Sequence, residues 1–535
     1  MVGVAGKSQA CNTCRERRLK CDLRRPICRK CVKAKRQCTG YDRGERVFVN
    51  RTASNLSNDA PAVLSELVVL RQLRAATANP KSEVDLCRLF AASASSGNSR
   101  EFRQYALEVL EDTYLPKTLS AESRQGSFSW VYGLPDLTRT STLLDTSLLA
   151  FCLSQFIVTG NGNTSLYTCL GHYNVALQHL ALDLDDPDRR LQEETLAAIV
   201  VLSTCELFVC PGANGWTTHA RGIAEILRLR GPRTVCTRAW QHLVTRMRVV
   251  CTLEALTKQQ GQMLLESDIW RQVIKECGLN GSLDEVFHMI ADVPTMLGQA
   301  VTLSSISDLG VFMKESAAVA QSMLEMVRTI ETWLDNFLKE SQTPRFWQIP
   351  SCVDSPADMG HSDKVFPWCF DFEGLGVANP VIMCWAVIAQ LFSNVIQIHD
   401  LATVRLGCQI DLDALLARAD IAVTISPQTF STRTSWSIDE VNRDGSNMAR
   451  YVCQSLEYFH RVDMGTFGSH ATTYLRWSAR QYFRLHPGYE RERAWIENID
   501  KMQGPGTRWG LTMMEFPDIV EPLSVFPKPA QHTMI

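Results

Sequence analysis

The sequence has no uninterrupted apolar run long enough to span a bilayer. Its longest apolar stretch, Val381 to Ile398, is broken by Gln390, Ser393, Asn394 and Gln397. A buried helix in a protein with no membrane partner is therefore expected there. The first nine residues, MVGVAGKSQ, lack the apolar core of a signal peptide, which argues against an oxidising compartment and a disulfide framework. No P-loop and no His-Glu-x-x-His occurs, and Gly160-Asn161-Gly162-Asn163 lacks the third glycine and the preceding strand of a dinucleotide fold. These absences leave no constellation that supports an enzyme and no catalytic residue to name. Strand alternation is also missing, and helical patterns run almost throughout from Glu83 onward.

Net charge is small over the whole chain but uneven along it. The 535 residues sum to −2, yet residues 1–50 hold 14 Lys+Arg against 4 Asp+Glu, a net of +10, which leaves −12 for the remainder. A small basic module thus precedes a large acidic body, the asymmetry expected when one end alone must approach phosphate. With 45% apolar and 21% charged residues, the body is folded, not disordered, and has room for two or three subdomains.

The module is written around six cysteines, Cys11, Cys14, Cys21, Cys28, Cys31 and Cys38, spaced Cys-x2-Cys-x6-Cys twice with a period of 17 residues. Each Cys-x2-Cys pair can grip a tetrahedral Zn²⁺ from one turn of chain, and the third Cys closes on the same metal. Six thiolates fill the eight positions of two zinc sites only if two sulfurs bridge. The equivalent leading residues of the repeat, Cys11 and Cys28, are the natural bridges. Six thiolates around two Zn²⁺ leave a charge of about −2, which the surrounding cations stabilise. The thirteen cysteines from Cys87 to Cys453 show no paired spacing and read as reduced, mostly buried thiols.

The six cysteines, the Arg/Lys run between the second and third, and Pro26 in the following loop resemble the fungal zinc binuclear cluster (Zn2Cys6) transcription factors. The resemblance implies one zinc on Cys11, Cys14, Cys21 and Cys28 and the other on Cys28, Cys31, Cys38 and Cys11, with Cys11 and Cys28 bridging. It implies that Arg17 and Arg18 read the guanines of CGG-like triplets in double-stranded DNA. Many members of the family have Lys where Arg18 stands. On physical grounds a short helix bearing Arg15, Arg17, Arg18 and Lys20 fits the major groove, where Arg holds guanine O6 and N7 together. Arg15, Lys20, Arg29, Lys30, Lys33, Lys35 and Arg36 suit phosphate contact, which positions without reading sequence. The runs RERRLK and KAKR suit nuclear import as well as DNA binding.

The organisation expected is a flexible stretch at 1–10, a DNA-binding domain at 11–38, a linker at 39–61 and an all-α regulatory body at 62–535. Within the body, helices are expected at Phe102 to Leu115, Leu143 to Val158, around Leu166 to Leu180, Glu193 to Cys210 and Thr218 to Arg230. The second ends at Gly160 and the last at Gly231-Pro232. The acidic Asp183 to Glu194 region reads as a loop and helix start, where Asp and Glu favour the dipole. Tyr173, Glu206, Trp216, His219, Gly222 and Arg230-Gly231-Pro232, with a weaker echo at Tyr482-Phe483 and Trp495, resemble the fungal-specific helical regulatory domain found behind the cluster in one large subgroup. His219 and Glu206 read as packed core residues, the first hydrogen-bonded and the second capping or paired.

The family resemblance further implies a nuclear regulator of RNA polymerase II genes, often in a metabolic or secondary-metabolite pathway, working with coactivators. Many members form a homodimer through a helix after the cluster, but the apolar stripe Val63, Leu67 and Leu70 is too short to define one. Met513 to Leu523, MMEFPDIVEPL, reads either as a strap docking on the body or as a coactivator-binding segment. The contrasting function is a zinc-stabilised interaction scaffold that partners bring to promoters, without DNA readout of its own. No small-molecule effector is named by the sequence.

Overall fold

The computed structural model describes residues 13–14, 20–22, 28–34, 81–117, 128–137, 139–209, 215–231, 237–261, 281–419 and 435–509, with Arg29 and residues 215–217 as backbone. The chain divides into two compact units, 1–60 and 61–535. In the first unit the described residues hold one short helix, α1 (Arg29–Lys33). The expected linker at 39–61, the short apolar stripe of Val63, Leu67 and Leu70, and the Met513 to Leu523 segment lie outside the described residues.

The second unit is a stack of helices. In chain order it begins with α2 (Glu83–Ser96), α3 (Arg100–Thr113), the short α4 (Ser129–Tyr132), α5 (Thr142–Thr159), α6 (Leu166–Asp185), α7 (Glu193–Val209), α8 (Gly215–Arg230) and α9 (Arg238–Lys258). Next come α10 (Ser282–Met289), α11 (Val293–Leu303), α12 (Leu309–Lys339), α13 (Leu375–Leu406), α14 (Leu412–Leu416), α15 (Ile438–Phe459), α16 (Phe467–Ala471), α17 (Thr473–Leu485) and α18 (Glu490–Glu497). The starts are set by short polar side chains that take up orphan amide protons. Ser141, Ser165, Thr237 and Asp308 accept from Leu144 N, Thr168 N, Trp240 N and Val311 N at 3.2, 3.1, 3.0 and 2.8 Å. Ser437 and Glu440 cap α15 reciprocally. Gly160 ends α5 and Gly231 follows α8, both in the left-handed region that a side chain disfavours.

Three helices are apolar on every side and form the centre. All residues of α7 from Glu194 to Val209 are buried, and α5 packs against α3, α6 and α7. The third, α13, packs against α12, α15 and α17. By length and composition α5 and α13 could cross a membrane, but their most apolar windows are 78% and 100% buried inside the protein. Of the four polar residues that interrupt α13, Gln390 and Ser393 tie it to its neighbours. Gln390 Nε2 donates to Leu256 O at 3.0 Å, and Tyr474 Oη donates to Gln390 Oε1 at 2.8 Å. Ser393 Oγ meets His486 Nε2 at 2.8 Å, while Asn394 and Gln397 bond within the helix.

The body is mostly helical, with one addition. Strands β1 (Phe346–Pro350) and β2 (Trp368–Phe372) pair antiparallel, Phe346 opposite Phe372 and Pro350 opposite Trp368. Five residues are too few to display a period of two, and no tight hairpin turn joins the strands, so the sequence carries no local signal for them. An aromatic cluster holds the pair in place. Phe346 and Phe370 lie 5.4 and 5.5 Å from Trp385 of α13, and Phe370 lies 5.6 Å from Tyr451 of α15.

Candidate metal centre and nucleic-acid interface

The first unit gathers its described cysteines into one buried group. Cys28 stands at the N-cap of α1 in extended conformation, and its sulfur accepts a hydrogen bond from Cys31 N at 3.3 Å. This is the turn that Cys-x2-Cys spacing makes when both thiolates face one centre. The Sγ of Cys14 lies 3.6 Å from that of Cys28 and 3.9 Å from that of Cys31. A disulfide would need about 2.05 Å, and none of the described cysteines forms one. By contrast, a tetrahedron with Zn–S bonds of about 2.3 Å has edges of about 3.8 Å. The sulfur spacing therefore fits ligands around zinc. Cys14, Cys28 and Cys31 are buried, and Cys21 packs against them half-buried. Cys21, Asp22 and Cys28 form a second group with metal-ligand spacing. Asp22 Oδ1 also accepts a weak bond from Lys30 N at 3.4 Å, which ties the two repeats together.

The described cations of this unit face solvent. Lys20, Lys30 and Lys33 are exposed, and the last two fall in the final turn of α1. A buried thiolate centre under an exposed basic surface can bind a polyanion without losing its own counter-charge. Cys11, Cys38, Arg15, Arg17, Arg18, Lys35 and Arg36 lie outside the described residues, as does the side chain of Arg29.

In the second unit three residues that carried the resemblance meet. Tyr173 of α6, Glu206 of α7 and His219 of α8 converge, with His219 Nε2 2.9 Å from Glu206 Oε2 and 3.5 Å from Tyr173 Oη. The group locks three helices by polar contacts inside the core, the packing role expected of His219 and Glu206. Arg230 has a similar task. Its guanidinium lies 3.8 Å from the Trp240 ring and donates to Leu191 O at 3.1 Å, so the end of α8 is clasped to α9. Tyr482 donates to Asn442 O at 2.9 Å, and Trp495 packs edge-on against Phe366. The Asp183 to Glu194 region is only partly the expected loop: α6 runs on to Asp185, residues 189–191 form a 3-10 turn, and Glu193 and Glu194 open α7 as expected, with Asp183 and Asp186 holding Arg189 at 3.1 and 3.0 Å. The Trp216 side chain and Pro232 lie outside the described residues.

Residues 9–46 match the fungal Zn(2)-Cys(6) binuclear cluster domain. Over 44 residues the chain is 57% identical to a protein of Schizosaccharomyces pombe (strain 972 / ATCC 24843) described as an uncharacterized transcriptional regulatory protein. That likeness spans 8% of each chain. No solved structure matches. The chain thus carries a fungal Zn(2)-Cys(6) cluster domain, a domain that binds two zinc ions, followed by a mostly helical body.

Proposed function

We propose that this protein is a nuclear, DNA-binding regulator of transcription whose zinc cluster reads CGG-type triplets. The observation that carries the reading is the buried sulfur group of Cys14, Cys28 and Cys31 at the start of α1, inside a unit of net charge +10 over residues 1–50. Two ions would be held by Cys11, Cys14, Cys21 and Cys28, and by Cys28, Cys31, Cys38 and Cys11. The division rests on the 17-residue repeat, and Cys11 and Cys28 are the shared ligands.

Zinc supplies the folding free energy of a segment too small to bury a core. The protein residues do the rest. Lys30 and Lys33, with Lys20, Arg15, Arg29, Lys35 and Arg36, anchor phosphates and set register. Arg17 and Arg18 distinguish guanine by paired hydrogen bonds in the major groove. Affinity then comes chiefly from the phosphates and falls with salt, while specificity comes from the two arginines. The helical body relays control to the transcription machinery and has no reaction to catalyse.

The test is a gel-shift comparison of a CGG-bearing duplex with a scrambled duplex, using the zinc-loaded protein at near-physiological salt. Preference for CGG that disappears on chelation supports the reading. Equal binding of both duplexes would move the assignment to a zinc-stabilised scaffold that partners bring to promoters.

A further inference from the structure

The helical body holds a partly open pocket of about 80 Å³ among α7, α9, α10, α13, α16 and α17, several times the 10–15 Å³ or so that one water needs. Its wall is largely apolar and includes Val250, Phe287, Met383 and Leu475. Val249, Leu253, Leu283 and Asn379, which are only half-buried, lie towards solvent. Most polar side chains in the wall already have partners. Thr245 Oγ1 donates to Gln241 O at 3.1 Å, Thr473 Oγ1 to His470 O at 2.8 Å and Tyr474 Oη to Gln390 Oε1 at 2.8 Å.

Arg246 differs from these. Its Nη2 donates to His470 Nε2 at 2.9 Å, and His470 Nδ1 lies 2.8 Å from Tyr114 Oη. Because guanidinium can only donate, His470 accepts at Nε2 and carries its proton at Nδ1. The imidazole is thus neutral, and burial and the Arg246 cation hold its pKa well below the usual histidine value. Neutral His470 cannot balance the cation, and among the described residues no carboxylate lies within ion-pair distance of Arg246. Its Nε is shielded from solvent and has no acceptor. The nearest aromatic face, Trp130, is 6.0 Å away and adds little.

Arg246 is half-buried, and its Nε is shielded without an acceptor; a cation so placed is costly unless an anion completes it, and planar guanidinium matches a carboxylate edge to edge. On the same wall Asn379 makes no side-chain hydrogen bond among the described residues. We infer that this cavity is a binding site for a small organic carboxylate with an apolar body: Arg246 holds the carboxylate, Asn379 adds a hydrogen bond, and the Val250, Phe287 and Met383 wall receives the apolar part. His470 and Tyr114 are positioning residues that fix the guanidinium. The inference concerns the body alone, so its failure leaves DNA readout untouched.

The test titrates the zinc-loaded full chain calorimetrically with sodium hexanoate and with hexanamide, which has the same tail and no charge. Hexanoate is expected to bind saturably and at least about tenfold more tightly than hexanamide. Arg246→Met, which keeps the shape and removes the charge, should erase that preference without lowering the melting temperature of the unliganded protein, because an uncompensated charge is lost with it. Arg246→Lys should keep part of the preference. Absence of hexanoate binding, equal affinity for the two compounds, or full hexanoate affinity in Arg246→Met overturns the inference. If Arg246→Met does not fold, the hexanoate-to-hexanamide ratio of the unaltered protein decides by itself, and Asn379→Leu at the half-buried rim supplies the variant. It should weaken hexanoate several-fold, and an unchanged affinity there removes Asn379 from the site.

Discussion

At the scale of single residues, the arginines of the first repeat and the histidines of the body give separable predictions. Arg18→Ala should cost about 1–3 kcal/mol of binding at a CGG duplex and little on scrambled DNA. Lys33→Ala should weaken both duplexes alike and make the salt dependence shallower, by about one in the logarithmic slope. Titrations at several salt concentrations check both. In the body, burial holds His460 down at about 3 and His486 at about 4, and His470 is also depressed. The unfolded chain therefore takes up protons first as pH falls through about 6.5. Stability is full above that value and is lost below it, by about 1.4 kcal/mol per pH unit for each such histidine until its folded pKa is reached. His399, raised beside Asp400, acts in the opposite direction and above that window: its contribution is fully present below about 6.5 and is lost as pH rises through its folded pKa. Urea midpoints should fall steadily between pH 6.5 and 4.5, and His460→Gln should flatten the fall. The sequence identifies these histidines but not their burial, since His470 meets Tyr114 across 356 residues and Arg246 across 224.

At the scale of elements, helix ends were easier to read than the joints between helices. Gly160 and Gly231 closed their helices as expected, because a left-handed residue at a helix end has a local sequence signature. The joint from α15 to α16 has none. A Cβ on Gly468 would lie 1.8 Å from Phe459 O, and one on Gly465, whose φ is 59°, would lie 2.4 Å from Tyr114 O. Gly468→Ala should lower stability by about 3 kcal/mol or more, since the obstruction is backbone and cannot rotate away. Gly171→Ala, inside α6 with nothing within 4 Å of the new methyl, should instead gain about 0.5–1 kcal/mol from helix propensity. Equilibrium denaturation of the pair separates close backbone approach from propensity. The β1–β2 pair was illegible for a related reason: its place is set by Trp385 and Tyr451, which are remote in sequence.

At the scale of the whole molecule, metal and fold are divided between two units, 1–60 and 61–535. The cluster was legible because thiolate chemistry demands fixed short spacings. The cavity was not, because a lone Arg246 in an amphipathic helix resembles any surface arginine until the fold closes around it. Chelation should remove two zinc ions per chain and abolish DNA binding, yet leave the helical circular-dichroism signal of the body nearly unchanged, since its core includes no zinc ligand among the described residues. Collapse of the helical signal on chelation would mean that the body depends on the cluster for its fold.

The central claim is zinc-dependent sequence readout, and selection from random duplex DNA by the full chain, with and without a zinc chelator, tests it most directly. CGG triplets should be recovered only when zinc is present, with any fixed spacing between them reporting a dimer. Recovery of no preferred sequence, or of the same sequence after chelation, would contradict it.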